Sequence, residues 1–185
     1  MTHFIRSLAC LATVLVQVAT GANWTQPVEV EYDQKRCIAY RAQWNGEVLL
    51  IEAAIEPGWH TFAMDNKQRQ QEKLAGKPSL GLEMPTQITL SGGLTAQGPW
   101  FQSPPADFSK PEIRWFTWGF EKQAVFAVKA GRSGAEPARV GIRGQACTES
   151  ICKNIDVTIE VPVAAATSKA KSSDINLQNL VQVRR

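Results

Sequence analysis

Two runs of alternating apolar residues flank an Asn-Gly pair, and they constrain this 185-residue chain more than any other feature. Ile38, Tyr40, Ala42 and Trp44 alternate with more polar neighbours, Asn45-Gly46 follows, and Leu49, Ile51, Ala53 and Ile55 alternate again. A two-residue period sets one series of side chains on one face of a strand. Asn and Gly both tolerate the positive φ of a type I′ turn, so the stretch predicts a hairpin with one apolar face. Further strands are expected over 87–90 (closed by Ser91-Gly92-Gly93), 124–129, 139–143 and 157–161. In the last of these Val157, Ile159 and Val161 point one way, Thr158 and Glu160 the other. Several short alternating runs punctuated by Gly and Pro predict an all-β chain folded as a β-sandwich.

Two stretches break the rhythm. Residues 65–77 are polar and lack β-branched side chains, which predicts a loop or a short exposed helix. Residues 100–118 are rich in proline and aromatics and read as a long shaped loop. Long loops on a rigid sandwich often carry function. From 164 to 185 the composition turns small and polar, predicting a flexible tail with a helical turn or two in the weakly amphipathic 175–183.

The first 22 residues have the three-part layout of an export signal: Arg6 in a short start, an apolar run over 8–18, then Ala19, Thr20, Gly21 and Ala22. The apolar run is too short, and too interrupted by Gln17, to cross a bilayer core of about 30 Å. Cys10 lies too early for a lipid attachment site and falls outside the mature chain. No other stretch reaches spanning length, so the expectation is a mature chain without a membrane span, exported to the periplasm, with one domain over 23–163. A net charge of +3, with basic residues scattered except in the tail, gives no footprint for nucleic acid.

Chemistry concentrates in Gly144-Gln145-Ala146-Cys147-Thr148-Glu149-Ser150-Ile151-Cys152. Two thiols so close, in an oxidising compartment, either staple a small loop or exchange their disulfide with a partner. A staple this short contributes roughly 2 kcal/mol, less than a long loop would gain, and a full-sized core hardly needs it. Lys153 is a cation that would favour a thiolate at Cys152, while Glu149 opposes ionisation of Cys147. Cys37 reads as a buried small hydrophobe or as an intermolecular partner. His60 with Cys37, Cys147 and Cys152 would make a zinc or copper set, but the spacing is not that of a zinc finger. His60 reads instead as organising the loop after Gly58, and neither metal nor cofactor is expected. Trp100, Trp115 and Trp118 are either packing or a sugar- or peptide-binding face.

An ordered set of motifs adds a resemblance. Glu56-Pro57-Gly58-Trp59-His60-Thr61-Phe62 follows a hairpin, Trp118-Gly119-Phe120-Glu121 precedes an apolar strand, and Gly144-Gln145-Ala146-Cys147 leads into Cys152. In this order and spacing, residues 28–163 resemble the periplasmic N-terminal domains of the thiol:disulfide interchange protein DsbD. The resemblance implies an immunoglobulin-like β-sandwich with long loops, acting as a protein thiol–disulfide oxidoreductase with a link to cytochrome c biogenesis. It implies that Cys147 and Cys152 are the redox pair, Cys152 being the sulfur that forms mixed disulfides with thioredoxin-like periplasmic partners. It also implies an aromatic cap over the pair, for which Phe108 in Pro104-Pro105-Ala106-Asp107-Phe108 is the best match. The chain departs from the family at Lys153-Asn154, where apolar residues or prolines are common. The sequence does not run on into membrane helices and a thioredoxin-like domain, so a separate membrane reductase is the expected electron donor. The alternative is an exported immunoglobulin-like binding module whose Cys147–Cys152 disulfide is purely structural.

Overall fold

The computed structural model describes residues 24–75, 77, 81, 83–163 and 177–184. The expected export signal, and residues 164–176 of the expected tail, lie outside the described residues. The strands in chain order are β1 (Val28–Tyr32), β2 (Lys35–Trp44), β3 (Val48–Ile55), β4 (His60–Phe62), β5 (Gln87–Gly92), β6 (Leu94–Ala96) and β7 (Phe101–Gln102). They continue as β8 (Ala106–Asp107), β9 (Trp118–Phe120), β10 (Gln123–Arg132), β11 (Ala138–Cys147), β12 (Cys152–Val161) and β13 (Val181–Gln182). Among the described residues one α-helix, α1 (Asn66–Leu74), fills the polar stretch after β4.

Two antiparallel sheets face each other. The first runs β1-β2-β3-β10-β7-β13, with β6 also on β10; the second runs β12-β11-β4-β9-β8, with β5 also on β11. The all-β, immunoglobulin-like sandwich expected from the sequence is the architecture found. In the β2–β3 register Ile38 faces Ile55, Tyr40 faces Ala53, Ala42 faces Ile51 and Trp44 faces Leu49, so the two alternating runs share one face. That face meets Val140, Ile142, Ile155 and Ile159 of the second sheet in one buried cluster. Each fully buried Ile, Leu or Phe contributes about 1.5–3 kcal/mol, so this interior carries most of the stability.

The hairpin turns differ from expectation in detail. Asn45 does not supply a positive φ; its side-chain Oδ1 accepts from the Glu47 and Val48 amides, and Gly46 alone takes φ 100°. With a positive φ at Gly46 and not at Asn45 or Glu47, the turn is not the expected type I′. The two-residue turn with both φ positive joins β1 to β2 through Asp33 (50°) and Gln34 (61°), without a glycine.

The stretch 100–118 is less of a loop than expected, because β7 and β8 pair with neighbouring sheets. The end of the expected flexible tail is also ordered. Val181 pairs with Gln102 and Gln182 with Phe101, and Leu180 packs beside Leu50, Val125 and Ala127 on the outer face of the first sheet. The open edge of β7 offers unpaired backbone groups, and a short run with apolar side chains satisfies them. Asp65, buried at the start of α1, ties this corner together. Its Oδ1 accepts from Arg69 (2.8 Å) and Gln102 (2.7 Å), and its Oδ2 from the Arg184 amide (3.1 Å).

Candidate functional site: a cysteine pair in a row with His60

β11 lies between β12 and β4, and its last residue therefore has a partner on each side. Cys147 faces Cys152 on β12 and His60 on β4. Directly paired residues in an antiparallel sheet project to the same face, so His60, Cys147 and Cys152 form one row. One residue back, Ala146 lies opposite Thr61 and Lys153, and Ala146 belongs to the inter-sheet core. The row containing the sulfurs is thus on the outer face of the second sheet, at its rim.

The two sulfurs are joined in a disulfide with the Cα atoms 4.1 Å apart. Thr148 shapes the turn between them, a role the sequence reading did not single out. Its amide donates to the Ile151 carbonyl at 2.8 Å, and its Oγ1 accepts from the Ser150 and Ile151 amides. The two cysteines differ in environment. Cys147 is 2 % exposed, whereas Cys152 lies at the surface beside the exposed Ile151.

His60 is half-buried between two rings: Phe62 meets it edge-on at 5.3 Å, and Phe108 lies tilted at 5.5 Å. Burial in this apolar niche pushes the imidazole below its ordinary pKa, with Glu121 pulling weakly the other way. His60 therefore stands neutral at neutral pH.

Phe108 reaches His60 from the segment after β8. Its amide donates to the Thr117 carbonyl at 2.9 Å, and Ser109 and Thr117 bond across the same segment. Asn66, at the start of α1, holds the far side, donating to Thr117 Oγ1 and accepting from the Trp118 amide at 2.8 Å. Gly119 leaves the space beneath the ring: a Cβ there would lie 3.1 Å from Phe108 Cε2 and 2.2 Å from the Thr61 carbonyl. On the other flank Gln145, two residues before Cys147 and so on the same face, accepts from the Met84 amide and donates to Asn154.

Lys153 alternates to the face opposite Cys152, where its charge also bears on the Cys37 thiol. Cys37 is fully buried in the core and unpaired; burial pushes its thiol up. It therefore fills space as a small apolar group and is not placed for intermolecular pairing. Among the described residues no three His, Cys, Asp or Glu side chains come together as a metal-holding group. Trp100 and Trp118 pack against the core, while Trp115 stacks with Lys110 and donates to Glu83. Among the described residues no ring pair joins these three tryptophans into one aromatic face. Among the described residues no helix is long and apolar enough to cross a membrane.

Comparison with known protein families and with curated proteins returns no match. Among solved structures, the chain is similar to the N-terminal periplasmic domain of ScsB from Proteus mirabilis, at 16% identity and a TM-score of 0.50. That match covers 76% of this chain and 50% of that one, so the chain spans half the length of its counterpart. The reduced N-terminal domain of DsbD from Neisseria meningitidis aligns at 12% identity and a TM-score of 0.43, covering 63% of this chain and 78% of that one. The GAE domain of GGA2p from Saccharomyces cerevisiae aligns at 7% identity and a TM-score of 0.35, over 74% of this chain and 98% of that one. At these identities the likeness to the ScsB domain is one of fold.

Proposed function

We propose that this chain is an exported thiol–disulfide exchange domain of the protein-disulfide reductase type. Cys147 and Cys152 are its redox pair, and it passes reducing equivalents from a membrane reductase to thioredoxin-like periplasmic proteins. The domain spans 23–163, preceded by an export signal over 1–22, and Phe108 is its cap. One observation carries the reading: a disulfide at the rim of a sheet, outside the core, with one cysteine buried and the other open to a partner.

A purely structural role fits this position poorly. The β11–β12 hairpin is already closed by ten consecutive residue pairs. A cross-link at its very end removes little freedom that the ladder has left. The core between the sheets, moreover, is complete without it. An exchange site, by contrast, needs one accessible sulfur and a second held close enough to resolve the mixed disulfide.

Trapping tests the assignment. Cys147→Ser in the full chain leaves Cys152 as the lone rim thiol, and it accumulates a mixed disulfide with a thioredoxin-like protein whose own resolving cysteine is replaced. Cys152→Ser accumulates little, because Cys147 is buried. The reverse pattern overturns the roles of the two sulfurs, and trapping by neither variant favours the binding module with a structural disulfide.

A further inference from the structure

We propose that His60 is the general base that takes the proton from Cys147 when the reduced pair closes. The inference rests on the reading of Cys147–Cys152 as a redox pair and adds a catalytic residue to it.

The geometry is that of the three-residue row. His60 is the direct cross-strand partner of Cys147, on the same face, and paired side chains of this kind have Cβ atoms about 4.5–5.5 Å apart. Cys147 needs such a partner. It is almost entirely shielded from solvent, so water is poorly placed to accept its proton, and burial in apolar surroundings makes a thiol a weaker acid. Lys153, paired with Ala146, lies on the opposite face. His60 is flanked by the Phe62 and Phe108 rings, which hold the imidazole in its neutral, proton-accepting form. Glu121, at the turn between β9 and β10, is the charged group that acts on it. The neighbouring Asp107 and Lys122 are exposed, and Gln145, two residues before Cys147 on the same face, carries no charge.

The sequence of steps balances. The Cys152 thiolate attacks an oxidised client disulfide, forming a Cys152–client bond and releasing one client sulfur as thiolate. Cys147 then gives its proton to His60 and attacks Cys152 Sγ. The Cys147–Cys152 bond forms, the Cys152–client bond breaks, and its electron pair leaves on the second client sulfur. That thiolate is protonated by the imidazolium or by water. The client disulfide is reduced by two electrons and the domain's dithiol is oxidised by two.

The test uses the reduced full-length chain carrying Cys10→Ser, so that Cys10 adds no release of its own, and 5,5′-dithiobis(2-nitrobenzoate). Attack by Cys152 releases one nitrothiobenzoate, and closure by Cys147 releases a second, read by absorbance. The expected wild-type closure rate is nearly flat at neutral pH and falls on the acid side, where His60, held below the ordinary imidazole range, protonates. In His60→Gln the closure rate follows the thiolate fraction, falling about tenfold per pH unit below the thiol pKa, and is about tenfold or more slower at pH 7. The first release stays within about twofold, as expected for a group that acts on Cys147 alone. Glu121→Gln, which leaves the imidazole in place, moves the acid limb of the wild-type profile to lower pH and keeps the inference testable should His60→Gln misfold. Identical closure profiles in wild type and His60→Gln, or an unmoved acid limb in Glu121→Gln, overturn the role of His60. Absence of a second release in the wild type overturns the redox reading itself.

Discussion

The ring of Phe108 lies tilted against the imidazole of His60, centroids 5.5 Å apart, and His60 in turn borders the buried Cys147. In the proposed reading Phe108 caps the buried end of the cysteine row, while Cys152 stands exposed at the other end. On that reading one-sided shielding would keep Cys147 from stray oxidants until a partner docks at Cys152.

Removing the ring gives the first prediction. In the reduced protein Phe108→Ala speeds alkylation of Cys147 by iodoacetamide several-fold and changes Cys152 much less, as read by peptide mass mapping. The fold is retained, since Phe108 is only half-buried. Equal rates at Cys147 in wild type and variant would show that the ring does not shield it.

Gly119 should behave as part of the same device. A Cβ there meets both the Thr61 carbonyl and the Phe108 ring, so Gly119→Ala forces β4 and β9 apart or displaces the ring. The expected cost is about 1–3 kcal/mol in urea denaturation, with Cys147 alkylation raised as in Phe108→Ala. An unchanged midpoint together with unchanged alkylation would contradict this packing.

Asp65 governs the far corner. Burial alone would raise its pKa, but hydrogen bonds from Arg69, the Arg184 amide and Gln102 outweigh that and hold the carboxyl below its usual range. A depressed folded pKa means that its contribution is present above the unfolded value of about 3.9 and is lost as pH falls through the folded value. Asp65→Ala should destabilise the chain by about 2–4 kcal/mol at pH 7 and flatten its acid unfolding arm. It should also release 177–184, seen as faster amide exchange at Val181 and Gln182. A pH-stability curve parallel to that of wild type would show that the carboxylate is not the tie.

Much of the sandwich was legible because strict alternation leaves little choice of face. Once Ile38 is inward, Tyr40, Ala42 and Trp44 follow, and the β2–β3 register matches them to Ile55, Ala53, Ile51 and Leu49. The pairing of Cys147 with Cys152 was legible as one outcome of their proximity in sequence. Contacts between distant segments were not. His60 and Cys147 are neighbours only because β4 inserts beside β11, and no local pattern in either segment encodes that pairing. The face taken by Lys153 was hidden for a related reason: neighbours along the chain point to opposite sides when side chains alternate across a sheet. β13 escaped notice because two residues are too few to show a period, and only the waiting edge of β7 makes them a strand.

The central claim is that the Cys147–Cys152 pair cycles between oxidised and reduced forms, and its reduction potential tests that most directly. Equilibration of the full chain against glutathione and dithiothreitol buffers, with thiols quenched and counted, gives the value. A relay between thioredoxin-like proteins requires roughly −180 to −270 mV. A potential well below about −300 mV, the range of structural disulfides in secreted proteins, would contradict the account and leave the disulfide as a staple.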